Sequence, residues 1–258
     1  MIIRVFLYLA LLSLSACATQ IKQTAPEESG APLKLQFQRL ALTPEHGAHP
    51  VEKTELKIGD IALTANHDSL VSLVIRLASV SPVSHAAIYV GDDIFVEAVA
   101  PNVRKITVAE LVEEQSVIAV YRHPELTEEQ RARLREIALA GVGRSYNFIG
   151  VALQAPFMVT RRVCEIPFIP GLVRQTCYGS LAILQMPLFE DETSFCSQYV
   201  LGVFQDAGVP LAKARAHWVS PRDLMHMREN DVPGFDPYLP LHYAGHLKQS
   251  PPLAIQQD

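Results

Sequence analysis

Cys196, in the stretch Asp191-Glu192-Thr193-Ser194-Phe195-Cys196-Ser197-Gln198-Tyr199-Val200, has the setting of a nucleophile. Thr193 and Ser194 are natural helix N-caps. Tyr199, Val200, Val203 and Phe204 follow as an apolar stripe at helical spacing. The thiol is therefore predicted in the first turn of a helix, where unpaired amides and the positive end of the dipole favour a thiolate. Such a thiolate needs an imidazole to share its proton.

Nine histidines compete for that role. His46 and His49 fall in a polar N-terminal stretch, and His123 precedes a proline. His67, His217 and His226 have only polar surroundings. His242 and His246 are four apart, but Pro240 and Gly245 argue against a helix there. No carboxylate or cysteine cluster accompanies them, so no metal site is expected. His85 differs, because it opens an apolar strand, Ala86-Ala87-Ile88-Tyr89-Val90, and Ile94-Phe95-Val96-Glu97-Ala98-Val99 reads as the next one.

A three-residue loop, Gly91-Asp92-Asp93, pairs Val90 with Ile94, Ile88 with Val96 and Ala86 with Ala98, which makes one face wholly apolar. The other face then carries Tyr89 opposite Phe95, Ala87 opposite Glu97 and His85 opposite Val99. A two-residue loop would put His85 and Glu97 on opposite faces. In the preferred register they are diagonal neighbours roughly 7 Å apart. A carboxylate there would fix the imidazole tautomer and favour the protonated ring, which in turn favours a thiolate. Solvent, Arg104 and Lys105 are the competing partners for Glu97.

The flanking elements place this chemistry. Met1 to Arg4 and the apolar run Val5 to Ala16 read as a secretory signal, too short to span a bilayer comfortably. Leu14-Ser15-Ala16-Cys17 resembles a bacterial lipobox, which implies a signal peptide over 1–16 and a lipid on Cys17. Similarity to enterobacterial-type sorting, with Ala18 rather than Asp after that cysteine, implies an outer-membrane anchor facing the periplasm. Residues 17–55 read as a polar tether, 56–247 as one domain and 248–258 as a tail.

Cys164 and Cys177 bracket a proline-rich loop and are either a disulfide or two buried thiols. The net charge of -5 offers no basic patch, which argues against nucleic acid. No phosphate-binding glycine motif occurs, so no cofactor is expected.

Ser69 to Val80 has helical spacing, Val117–Arg122 reads as a strand, and Thr127 with Gln130 forms a capping box for a helix through Ala140. Ser220-Pro221 opens a short helix, and the C-terminal stretch looks irregular. Strands dominate the first half and helices flank them, an α+β pattern.

Gly59-Asp60-Ile61, Ser84-His85-Ala86-Ala87-Ile88-Tyr89-Val90-Gly91, Phe95-Val96-Glu97-Ala98 and Phe195-Cys196-Ser197-Gln198-Tyr199-Val200 together resemble the YiiX/YebB-like group. This is the circularly permuted branch of the NlpC-type, papain-fold cysteine hydrolases. With the lipobox, the chain is similar to the YaeF-type lipoprotein peptidases. The resemblance covers about residues 56–230. It implies an antiparallel sheet or small barrel packed on the nucleophile helix. It also implies Cys196 as nucleophile, His85 as general base and acid, and Glu97 as the residue orienting His85.

The expected substrate is a peptide, cell-wall stems being the accessible target, or an acyl-amide. A thiol-dependent lipid acyltransferase or lipid-amide hydrolase is the second reading, and a non-catalytic binding lipoprotein the third. Residues 148–153 and 181–184 are apolar enough for an acyl-binding or membrane-facing wall, although core helices are the favoured reading.

Overall fold

The structure, a computed structural model, describes residues 18–23, 33–43, 47–146, 156–165, 169–185 and 195–249. The leader, Cys17, Thr193, Ser194 and the 148–153 stretch lie outside the described residues.

A six-stranded antiparallel sheet forms the centre, in the order β6-β5-β4-β3-β7-β8. Its strands are β3 (Ile61–Ala65), β4 (His85–Gly91), β5 (Ile94–Ala98), β6 (Val103–Thr107), β7 (Val117–Arg122) and β8 (His242–Lys248). All five residues of β3 are buried, because both faces of the sheet are covered. On one face Leu63, Ile88 and Tyr121 pack with Leu134 and Ala138 of α3 (Glu128–Ala140) and with Val200 and Phe204 of α5 (Cys196–Asp206). On the other, Ala62, Tyr89, Phe95 and Val120 meet Leu111 of α2 (Val108–Glu114). Two-sided burial explains why these strands read as nearly continuous apolar runs rather than as a polar–apolar alternation.

The expected caps are present. Ser69 caps α1 (Leu70–Ser79), and Thr127 and Gln130 close a reciprocal capping box on α3. Ser220 caps α6 (Pro221–His226), with Pro221 in its first turn. Gly141 ends α3 where the Tyr199 hydroxyl comes close. A Cβ there would lie 2.6 Å from that oxygen. Tyr199 donates to the Ala138 carbonyl at 2.5 Å, tying α5 to α3.

Three expectations are corrected. The β4–β5 turn has two residues, Asp92 and Asp93, both at positive φ (54° and 59°), as the tight hairpin turn requires. A bulge between Tyr89 and Gly91 absorbs the extra residue, so Gly91 rather than Val90 faces Ile94, while Ala87 still faces Glu97. Second, the irregular C-terminal stretch is β8, paired along β7. Two register shifts in that pairing, and Gly245 at φ 136°, hide the alternation from a sequence reading.

Third, the described part of 17–55 is not a free tether. β1 (Thr19–Gln23) pairs with β2 (Leu33–Phe37), and buried arginines grip the strap. Arg174 donates to the Thr19 carbonyl and Arg222 to Gln38 Oε1, at 2.9 and 2.6 Å. Arg228 donates to the carbonyls of Leu42 and Arg39. Backbone groups and the Gln38 amide do the holding, so hydropathy carries no trace of it.

The segment before α6 is tied down by α4 (Gly171–Gln185) and the turn Arg161–Glu165. Cys164 and Cys177 form a disulfide with Cα atoms 5.8 Å apart. Arg161 makes a two-pronged bond to Asp223 of α6 (2.9 and 2.6 Å), and Glu165 accepts from Arg222 at 2.9 Å. All four side chains are buried. Burial would push the Asp223 carboxyl up, but the Arg161 guanidinium and the Ser220 donors hold it below its ordinary range.

Candidate active site

Cys196 is the first residue of α5. The helix is capped by Phe195, not by Thr193 or Ser194, and no side chain completes the cap. Phe195 is itself buried, so apolar packing rather than a polar cap fixes this helix end. Ser197 anchors the same turn by donating to the Val219 carbonyl at 2.7 Å. The amides of this first turn are the donors that sequence spacing pointed to.

His85 starts β4, and Glu97 lies on β5 diagonal to it, since Ala87 is the residue facing Glu97. The His85 Nε2 to Glu97 Oε2 distance is 2.7 Å. Cys196 lies close enough to the same ring for its charge to act on it. With Nε2 taken by the carboxylate, Nδ1 is the nitrogen left for sulfur. The three residues singled out by spacing thus meet in one place, although Cys196 is more than a hundred positions from His85 in the chain.

The electrostatics follow from burial and charge. His85 is half-buried, which by itself disfavours its charged form. The negative sulfur of Cys196 and the Glu97 carboxylate outweigh that and push the ring up to about 10. Glu97 is almost fully buried, and burial would raise its pKa. His85 and then Arg104 reverse the direction and hold it low. An imidazolium held beside a carboxylate is the protonation state that favours a thiolate at a neighbouring cysteine.

Arg104 and His85 are not alternative partners for Glu97. Glu97 accepts from both, with Arg104 Nε on Oε1 at 2.8 Å. Arg104 also donates to Glu114 of α2 at 2.6 Å. Arg104 faces Glu97 across the β5–β6 pair, a register legible only once β6 is recognised. Tyr146 is a neighbour that sequence reasoning missed. Burial and the nearby Cys196 charge raise its phenol well above the ordinary value. No motif surrounds it, so no local signal could have found it. Lys105, the other competitor for Glu97, faces Val96 instead.

His242 and His246 are on β8, and His226 is bonded to Asp231. Among the described residues no group of three His, Cys, Asp or Glu side chains is arranged to hold a metal ion.

A family model described as "permuted papain-like amidase enzyme, YaeF/YiiX, C92 family" matches residues 55–152, which include His85 and Glu97. The chain is also 34% identical over 245 residues to "Probable lipoprotein peptidase YaeF" of Escherichia coli (strain K12), covering 92% of this chain and 89% of that protein.

The chain belongs to the permuted papain-like amidase family. Its fold is therefore the permuted papain-like one, and it is a cysteine peptidase or amidase. A solved structure titled as metalloprotein yiiX from Escherichia coli O157:H7 is similar at a TM-score of 0.44 with 16% sequence identity. It covers 76% of this chain and 98% of that one. In this amidase the histidine strand precedes the cysteine helix, the permuted order.

Proposed function

We propose that this chain is an envelope-anchored thiol hydrolase that cleaves amide bonds in peptides, with Cys196 as nucleophile, His85 as base and acid, and Glu97 orienting His85. The observation that carries the reading is the His85 ring, bonded to the Glu97 carboxylate through Nε2 and placed beside Cys196. Cys196 sulfur attacks the carbonyl carbon, and the oxyanion is met by the free backbone amide of Cys196. His85 gives its proton to the departing amine as the C–N bond breaks, leaving a thioester. His85 then takes a proton from water, which attacks the thioester and releases a carboxylate and the free thiol. Glu97, held by Arg104, keeps the ring in one tautomer through both steps.

Lipidation of Cys17 and an outer-membrane site facing the periplasm complete the proposal. They rest on the Leu14–Cys17 stretch and Ala18, with support from a relative named as a lipoprotein peptidase. Cell-wall stem peptides are the substrate within reach of such an anchor.

A panel of muropeptides, acyl-amides and phospholipids, run with the wild type and Cys196→Ala, tests the substrate class. Turnover of muropeptides that vanishes in the variant is the expected result. Turnover confined to lipids would replace it with the lipid-amide hydrolase or acyltransferase reading, which two helices with apolar outer faces favour. Failure of a thiol-directed acylating probe to label Cys196 would leave a binding module.

A further inference from the structure

α4 carries one charged residue, Arg174, and that side chain is buried. Its outer face presents Leu172, Val173, Ile183 and Leu184, exposed by 81%, 54%, 68% and 79%. Ile183 and Leu184 are therefore not core residues, contrary to the favoured sequence reading of 181–184. α1 is amphipathic in the inverted sense. Its buried side chains are Ser72 and Ser79, while Leu70, Val71, Val74 and Leu77 are more than half exposed. The turn Arg161–Glu165 links the two helices. Arg162 donates to the Ala78 carbonyl at the end of α1, and Cys164 is bonded to Cys177 of α4. Val163 of that turn is half exposed as well. Uncharged aliphatic surface on this scale marks a contact face, not an ordinary solvated one.

The occupant follows from where the N-terminus is held. Arg174 of α4 binds the Thr19 carbonyl at 2.9 Å, and Ala18 is fully buried. Cys17 is one residue further, about 4 Å along the backbone. A lipid on Cys17 enters a bilayer beside α4, so the membrane is the apolar phase available to this face. We infer that the α4 outer face, continued across the Val163 turn to α1, lies in the bilayer interface beside the lipid anchor. The inference rests on the lipoprotein reading of Cys17.

Seated this way, the protein holds its active site at the membrane surface. Ser72 of α1 bonds Ser84 at 2.7 Å, and Ser84 adjoins His85. Without exposed cations on α4, docking should not depend on anionic lipid or on salt.

The test uses the full lipidated protein in phosphatidylcholine vesicles brominated midway along the acyl chains. Leu172→Trp and Leu184→Trp are compared with wild type, whose single tryptophan is Trp218. Both residues are exposed, so the substitutions leave the core intact. The expected result is that bromination removes at least about half of the added emission at both sites, equally in 50 mM and 500 mM salt. Added emission that bromination leaves unchanged overturns the inference. So does a second copy covering the face, seen as a dimer in sedimentation that Leu172→Asp dissolves. Mass spectrometry of the N-terminal peptide separates the two readings. An acylated Cys17 with unquenched tryptophans sinks the docking face alone, and quenched tryptophans without acylation sink the anchor alone.

Discussion

Two histidines in this molecule each hydrogen-bond a carboxylate, and they end in opposite charge states. His85 meets Glu97 at 2.7 Å, and His226 Nδ1 meets Asp231 at 3.1 Å. His85 is pushed up to about 10 and His226 down to about 4. Burial works against the charge of both rings. At His85 it is outweighed by two negative groups, Cys196 and Glu97, while the nearest guanidinium, Arg104, stands behind Glu97. At His226 burial prevails. Arg222 and Arg228 add to it, and Asp231 is already engaged by Arg228 at 2.8 Å. Both carboxylates also bind a guanidinium, so the difference lies in Cys196 beside His85 and in the two arginines that act on His226. The first region holds the Cys196, His85 and Glu97 cluster. The second holds the strap, because Arg228 and Asp231 bind the backbone of Arg39 and Leu42.

The largest effects break the first pair. Cys196→Ala and His85→Ala should each lower kcat/KM by at least about 10³-fold, with no further loss in the double variant, since the two act as a unit. Independent, multiplying losses would show that they do not share one proton. Breaking the second pair should instead cost stability. Asp231→Ala leaves Arg228 buried without its carboxylate and is expected to destabilise by about 3–5 kcal/mol in urea unfolding. Its folded fraction should still alkylate Cys196 at the wild-type rate.

Titration sharpens the contrast. His226 is neutral in the fold, because its folded pKa lies below the unfolded value. The unfolded chain therefore binds more protons between pH 6.5 and about 4, and stability falls across that window by an amount on the order of 3 kcal/mol. His85 has the opposite sign. Its folded pKa is raised, so its contribution is complete below pH 6.5 and lost as pH rises through about 10. Cys196 alkylation in the wild type should stay fast through neutral pH and change only near pH 10. His226→Gln should flatten the acid limb of stability and leave the alkaline limb of reactivity in place.

The smallest effect is at Arg104. Its side chain is 41% exposed, and Arg104→Gln should cost less than about 1 kcal/mol of stability. Activity should fall by about 3- to 10-fold and the acid limb of the pH–rate profile move upward. Without the guanidinium, Glu97 binds a proton more readily. An unshifted limb would mean that Arg104 serves Glu114 and packing alone.

Much of this was legible in the chain. Cys196 stood out because an apolar stripe at helical spacing follows it, and His85 with Glu97 because matching apolar faces fixes one hairpin register. Ser69, Thr127 and Ser220 were recognisable as caps because the bonds they make are local. The strap was not legible, since Gln38 meets Arg222 across 184 residues and its other anchors are backbone groups. β8 was hidden by the bulges that bend it along β7.

The sequence by itself determined which side chains of β4 and β5 share a face and which residues cap α1, α3 and α6, because those depend on neighbours a few positions away. Only the tertiary structure decided that His85 is charged and His226 neutral, that Glu97 serves two cations, and that α1 and α4 turn their apolar sides outward. Each of those outcomes depends on burial and on charges contributed from distant parts of the chain. Local spacing carries no record of either.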